Sequence, residues 1–350
     1  KLKSTDSVLV KADKGEALVA LPSSEYHKKM TDFLSSSNAA CSTFTYDSYI
    51  RKIRQAIKAS RFLLPTTSQQ DKILVMNPSP PRLYGQLKTH KVGFPIRPVV
   101  AFYTDASYKL ARFLSQWFRL HSSFAPQHTI TNSSHLASQL TDSFPPTSTL
   151  FSLDVSSMYT NIPVSQSVGY MLDHLRANNI HSDIISEFHT LINWCLKNIC
   201  FYNGTLYEFP DGLPMGAPLS SLVADVFMDR FETEFLHSTL TPQPHILSWH
   251  RYVDDILGVW DGPPSALTNL LNYLNSLHPS INFTLEVGGS SINYLDLTIS
   301  LTPHSHSHQL HPQFAIYRKP SNTGIFINGL SFHHISHKLS AFLFLINRLL

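Results

Sequence analysis

"SWHRYVDDILGVW", residues 248 to 260, places two carboxylates side by side in the middle of an apolar run. Tyr252, Val253, Ile256, Leu257, Val259 and Trp260 are β-branched, aromatic or long apolar residues, so the run reads as strand on both sides of Asp254 and Asp255. Side chains alternate between faces along a strand, and two adjacent anions repel in an apolar setting, so a straight buried strand rejects this pair. A tight turn accepts it. With Asp254 and Asp255 at the tip of a hairpin, both carboxylates project toward one place, where a divalent cation offsets their repulsion. Aspartate is also a common turn residue, so a solvated hairpin tip explains the pair equally well until the rest of the chain is read.

The chain has 350 residues, 43% of them hydrophobic and 15% charged, which suits a folded chain with one large core or two medium ones. A net charge of +3 allows a nucleic-acid partner without demanding one, so any basic surface must be local. Cys41, Cys195 and Cys200 form neither a paired metal-binding spacing nor a disulfide framework, which fits a reducing compartment. With no run of about eighteen apolar residues, a membrane partner is not expected. The chain opens on Lys1 and stops inside the helical-looking "AFLFLINRLL", and it reads as a piece of something longer.

Proline-rich breaks at 77–85, 143–149, 240–245 and 261–265 divide the sequence into blocks. Helices are expected over "YDSYIRKIRQAIKASRFLL" (46–64), "ASYKLARFLSQWFRL" (106–120), "DIISEFHTLINWCLKN" (183–198) and "LSSLVADVFMDRFETEFL" (219–236). The second carries Leu110, Phe113, Leu114, Trp117 and Phe118 on one face. "TLFSLDV" (149–155), "INFTLEV" (281–287) and "INYLDLTISL" (292–301) read as strands. Strands and helices interleave without a regular βαβ beat, which points to a mixed arrangement around an antiparallel hairpin. The tract "HSHSHQLHP" (304–312) has no second cluster at ligand spacing and reads as a polar loop.

Three further stretches carry chemistry. In "TLFSLDVSSMYTNIP", Asp154 ends an apolar strand; alone it is equally a turn or helix-capping residue, but carboxylates on two separate strands are what a two-metal phosphoryl-transfer site requires. Tyr159 is either a core aromatic or a ring against the sugar of an incoming nucleotide. In "DGLPMGAPLSSLVADVFMDRFE" (211–232), Gly212, Pro214, Gly216 and Pro218 build a turn that a backbone or ligand can approach closely, and a helix follows at once. In "YGQLKTHKVGFPIRPVV" (84–100), Lys88, Lys91 and Arg97 sit on a β-like hairpin, as a solvated edge or as cations for a triphosphate. The order basic hairpin, single-Asp strand, Gly/Pro turn with helix, Asp-Asp hairpin is more specific than any one of them.

That order resembles the reverse transcriptase family. "SLDVSSMYTNIP" is similar to its motif A, "GLPMGAPLSSLVADVFM" to motif B, "RYVDDIL" to the Tyr-x-Asp-Asp of motif C, and "LKTHK" with "PIRPVV" to the fingers motifs. The finer pattern resembles Penelope-like retroelements, relatives of telomerase: "KADKG" (11–15), Lys88 to Lys91, "INYLDLTI", "YRKPSNTG" (317–324) and "SFHHISHK" (331–338). The resemblance implies an α+β right-hand polymerase with fingers over 1–100, palm over 101–161, a fingers/palm insertion over 162–205, palm again over 206–303, and the palm end and start of a thumb over 304–350. It implies that Asp154, Asp254 and Asp255, with the Val155 carbonyl, hold two Mg²⁺ ions, Mn²⁺ also fitting. It assigns Lys88 and Arg97 to the triphosphate, Tyr159 to the sugar gate, and Met215 and Gly216 to the nucleotide and template pocket. The implied activity is RNA-directed DNA polymerisation, with an RNA template, a DNA primer, dNTPs and nuclear residence.

The sequence departs from the family in two places. "LNSLHPSINFTLEV" lacks the lysine that protonates pyrophosphate in many such enzymes, leaving His278 as a candidate beside its reading as a turn residue. Met215 stands where retroviral enzymes often have glutamine. No GIY-YIG endonuclease pattern precedes Leu350. The rival readings are an RNA-directed RNA polymerase, which Tyr159 opposes, a telomerase-like enzyme, and a retroelement relic that binds RNA without chemistry.

Overall fold

The computed structural model describes residues 6–14, 17–238, 243–303, 308–320 and 327–349. Gly15 of "KADKG", residues 240–242 of the third proline break, residues 304–307 of the histidine tract and residues 321–324 of "YRKPSNTG" lie outside the described residues.

The central sheet has four antiparallel strands in the order Phe283–Gly289, Thr149–Val155, Asp255–Trp260, Ile246–Tyr252. Its two faces follow from strand parity. Phe151, Leu153 and Val155 of one central strand, with Ile256 and Trp260 of the other, point into the main core beneath a layer of helices. Leu150, Leu257 and Val259 point the opposite way into a second core. Both strands are therefore apolar on both sides, which is why they read as continuous apolar runs. Asp154 and Asp255 are direct partners across the ladder and share the parity of the second face.

The helical layer includes Tyr108–His121, Val164–Ala177, Ser182–Cys195, Ser220–Leu236 and Pro264–Leu277. Leu110, Leu114 and Phe118 are fully buried, with Phe113 and Trp117 packed beside them, so the expected face of that helix is the one that is used. Helix Ser220–Leu236 buries residues on nearly every side, Leu222, Val223, Val226, Phe227 and Phe231 among them, as a helix central to a core does. Helices Ser23–Ser36, which buries only Met30 and Leu34, Val164–Ala177 and Pro264–Leu277 were not expected from the sequence.

A five-stranded sheet forms the second body, in the order Ala40–Cys41, Thr205–Glu208, Ile199–Tyr202, Arg82–Leu87, Ile96–Ala101. It joins strands from either side of the first acidic strand in sequence. The basic hairpin is its edge pair, with Lys88 and Lys91 in the connecting loop and Arg97 on the return strand. A small hairpin, Ser7–Lys11 with Leu18–Pro22, lies against it through a bridge from Ala12 to Leu87.

The expected single strand over 292–301 is instead a hairpin, Ser291–Tyr294 with Leu297–Pro303, extended by Leu310–Ile316 into a three-stranded sheet. The turn falls at Leu295–Asp296, where Leu295 takes a left-handed φ of 54°. Ile292, Tyr294, Ile299 and Leu301 are all buried in the second core, and folding the run back on itself seats all four. Helix Ile335–Leu349 ends the chain, and Cys41, Cys195 and Cys200 are free thiols. No helix among the described residues is long and apolar enough to cross a membrane.

Gly258 marks how closely the central sheet is packed. A Cβ there would stand 2.2 Å from the Phe151 ring. Gly258→Ala is expected to lower stability by about 1–3 kcal/mol through overpacking, read as a fall in the thermal unfolding midpoint.

Candidate active site

The Asp-Asp hairpin is as tight as a hairpin can be. Tyr252 pairs with Asp255, so the two loop residues are Val253 and Asp254, and Asp255 is the first residue of the return strand. This corrects the expected tip by one residue. A two-residue loop needs a primed turn with positive φ to match the twist of its strands, a role that glycine or asparagine usually fills. Here Val253 fills it at φ 58°, although its branched Cβ disfavours that region. Such a residue costs on the order of 1–3 kcal/mol and persists only where its surroundings over-determine it.

Two contacts over-determine it. The Val155 N–H donates to the Asp254 carbonyl at 2.9 Å, tying the turn to the end of the Asp154 strand. Arg251 Nη1 donates to the Val253 carbonyl at 3.2 Å. Arg251 is fully buried, and so is its partner Glu232 from helix Ser220–Leu236. Arg251 Nε donates to both Glu232 carboxylate oxygens at 3.0 Å, Nη2 donates to the Thr129 hydroxyl at 2.9 Å, and Nη1 also reaches Asp225 at 3.4 Å. The Trp249 indole donates to Glu232 at 3.0 Å. The helix after the Gly/Pro turn is thereby fastened to the acidic hairpin. Arg251 was missed from sequence because an arginine beside "YVDD" reads as a solvated charge; the one signal was its place inside an apolar strand.

Cross-strand pairing brings Asp154 and Asp255 onto one face, with Asp254 on the adjoining turn. Among the described residues no cation or neighbouring side chain hydrogen-bonds these three carboxylates. Burial, followed by the charges of Asp254 and Asp154, pushes the Asp255 carboxyl up from 3.8 to about 6. Burial and the charge of Asp154 raise Asp254 as well. Among the described residues no three acidic, histidine or cysteine side chains stand at distances ready to hold one ion. Holding one ion between them would require the side chains to rotate together, against a repulsion that the ion's charge would offset. The donors are hard oxygens on two adjacent strands, which is the set that suits Mg²⁺ or Mn²⁺.

Of the other expected residues, Lys88 and Arg97 bear on the acidic group, whereas Met215 lines a cavity that none of the three aspartates lines. Burial, with the cations Arg97 and Lys91, pushes the Lys88 ammonium below its ordinary value, while Asp13 and Asp154 act on it in the opposite sense. Arg97 Nε stands 2.9 Å from Asp13 Oδ1. Tyr159 is half-buried, and burial, then the charges of Asp225 and Asp254, raise its phenol. Its carbonyl accepts the Leu213 N–H at 2.6 Å, binding the two motifs together. Met215 gives its carbonyl to the Val100 N–H at 3.1 Å and lines a cavity of about 300 Å³ with Pro98, Val100, Thr160 and Pro214. Gly216 sits at φ 110° with the Val100 carbonyl 2.7 Å from where a Cβ would be, so no other residue allows this approach of turn to strand.

His278 does not join the site. Its ring is held by Gln166 at 3.1 Å and Ser280 at 2.9 Å and packs edge-on against Phe227 in the helical layer. That agrees with its reading as a turn residue before Pro279.

The sequence matches no family model and no curated relative. The fold does match solved structures. A telomerase from Candida albicans, in complex with a TWJ fragment of telomeric RNA, superposes with a TM-score of 0.57 at 12% identity, over 85% of this chain and 53% of that one. An apo telomerase from Candida tropicalis, truncated from its C-terminal domain, gives 0.53 at 11%, over 83% and 62%. The RNA-bound Candida tropicalis telomerase gives 0.55 at 10%, over 83% and 50%. The chain has the right-hand polymerase fold, fingers and palm with the start of a thumb. It spans about half to three-fifths of the length of these telomerases.

Removing one partner of the buried Arg251–Glu232 pair leaves an uncompensated charge, so Arg251→Met is expected to cost about 3–5 kcal/mol in chemical denaturation, and Arg251→Met/Glu232→Leu considerably less. The raised Asp255 carboxyl sets a second expectation. The folded chain holds this proton more tightly than the unfolded chain, so in chelator the associated stability is fully present below about pH 4 and lost as pH rises through about 6. In thermal melts Asp255→Asn should flatten that slope and melt higher than wild type at pH 7.5, while Mg²⁺ should stabilise wild type and not the variant.

Proposed function

We propose that the chain is an RNA-directed DNA polymerase of the Penelope-like retroelement type. The observation that carries this reading is the register pairing of Asp154 with Asp255, beside the Asp254 turn and across from Lys88 and Arg97. Carboxylates from two strands facing two cations suit nucleotidyl transfer, where charge builds on both sides of the transferred phosphorus.

In this reading the primer 3′-hydroxyl attacks the α-phosphorus of a dNTP. A bond forms from the 3′-oxygen to the α-phosphorus as its hydroxyl proton passes to solvent, and the bond from that phosphorus to the α,β-bridging oxygen breaks, releasing pyrophosphate. Asp154, Asp254 and Asp255 would hold divalent cations, which would supply positive charge against the charge that builds during transfer. Lys88 and Arg97 receive the triphosphate and neutralise charge gathering on the leaving group. Tyr159 closes the space beside the sugar against a 2′-hydroxyl. Met215 and Gly216, held on Val100, present a fixed backbone to the paired base and template. The chain's own contribution is mainly positioning. Nuclear residence would follow from the DNA that such an element must reach.

Extension of a DNA primer on an RNA template with Mg²⁺ tests this, with wild type beside Asp254→Ala/Asp255→Ala. Extension by dNTPs, lost in the double variant while duplex binding is retained, is the expected result. Binding without extension in both proteins would favour an RNA-binding relic, and extension with rNTPs alone an RNA-copying enzyme. Tyr159→Ala should lower discrimination against rNTPs by on the order of tenfold or more while leaving dNTP extension measurable.

A further inference from the structure

The small N-terminal hairpin, Ser7–Lys11 with Leu18–Pro22, is docked on the basic hairpin at one point. Ala12 bridges Leu87, and the Asp13 N–H donates to the Leu87 carbonyl at 2.8 Å, which lays residues 12–14 beside Lys88. The Asp13 side chain is 1% exposed. A carboxylate so buried is costly unless paired. Neither of its oxygens has a hydrogen-bond partner among the described residues, and Arg97 Nε, 2.9 Å from Oδ1, is off the hydrogen-bond axis.

The pair is one-sided. Asp13 meets the Nε edge of Arg97, and among the described residues no hydrogen bond engages either Nη. Arg97 is 41% exposed, so its fork remains open to a bidentate anion. Lys14 follows directly and is exposed. Residues 13 and 14 continue from the Ala12–Leu87 bridge, which sets Lys14 beside the loop that carries Lys88.

We propose that residues 13 and 14 are part of the nucleotide site: Asp13 is a positioning residue that holds Arg97 by its Nε edge, and Lys14 supplies a further cation to the triphosphate. For its substrate this rests on the polymerase reading. The two alternatives make opposite or different statements. Simple charge counting says that removing an anion beside phosphate-binding cations strengthens phosphate binding, whereas loss of a positioning residue weakens it. A carboxylate that only fastens the hairpin would lower stability and leave nucleotide affinity alone.

The test measures binding of a dNTP and of inorganic tripolyphosphate by calorimetry, and the dNTP dependence of primer extension, for wild type, Asp13→Asn, Lys14→Glu, Arg97→Ala and Asp13→Asn/Arg97→Ala, each checked by thermal unfolding. Asp13→Asn is expected to weaken triphosphate binding and raise the KM for dNTP about fivefold to tenfold with kcat little changed, and to have no further effect once Arg97 is alanine. Lys14→Glu, at an exposed position, should weaken binding at least as much without altering the unfolding midpoint. Equal or tighter binding by Asp13→Asn, the same loss in the Arg97→Ala background, or unchanged binding by Lys14→Glu overturns the proposal. Wild type that binds tripolyphosphate but never extends a primer removes the polymerase reading and leaves the site standing if the variants weaken binding. Wild type that binds no triphosphate overturns the site itself.

Discussion

The buried guanidinium of Arg251 is the interaction on which the rest of this molecule turns. A charge taken fully out of water is tolerable only with its hydrogen-bonding capacity met, and Arg251 meets it from four directions: Glu232 and Asp225 on one helix, Thr129 on a loop, and the carbonyl of Val253. The first two fix the long helix against the sheet. The last holds a branched residue in a left-handed turn that it would otherwise avoid. Burial, specificity of helix docking and the shape of the acidic turn are thus one energetic unit, and the 254 carboxylate points where it does because a residue three positions earlier is buried.

Charge organises the cleft from both sides. The acidic hairpin and the strand beside it offer Asp154, Asp254 and Asp255, where burial and neighbouring carboxylates raise Asp254 and Asp255, and the basic hairpin offers Lys88, Lys91 and Arg97, where burial and the other two cations lower Lys88. In the proposed reading each cluster would complement what a metal-bound triphosphate carries. The backbone ties between the bodies, Leu213 to Tyr159 and Val100 to Met215, set their spacing without using the charged groups. Stability is supplied by apolar burial in the cores behind them rather than by these charged groups.

Much of the site was legible in sequence because charge interrupts apolar runs there. Asp154 and the Asp254/Asp255 pair stood out as carboxylates in strands that were otherwise apolar on both faces, and Gly216 as a glycine in a turn before a helix. Residues whose role depends on a partner far along the chain were not legible. Arg251 and Glu232 look like ordinary surface charges until folding buries both. Val253 has the composition of a strand and the conformation of a glycine. The run at 292–301 has the right alternation for one strand, and folds back because four apolar side chains need the same core. His278 offered suitable chemistry at a suitable distance along the chain and was placed by Gln166 and Phe227 on the other layer.

By itself the sequence determined the right-hand architecture and the identity of the acidic and basic groups, since parity, turn residues and interrupted hydrophobicity are local properties that every folded arrangement must respect. Only the tertiary structure decided the register that sets Asp154 opposite Asp255, the one-residue placement of the turn, and the attachment of Asp13 to Arg97. Those depend on contacts between segments separated by tens of residues or more, where burial and close packing, rather than local preference, select one arrangement.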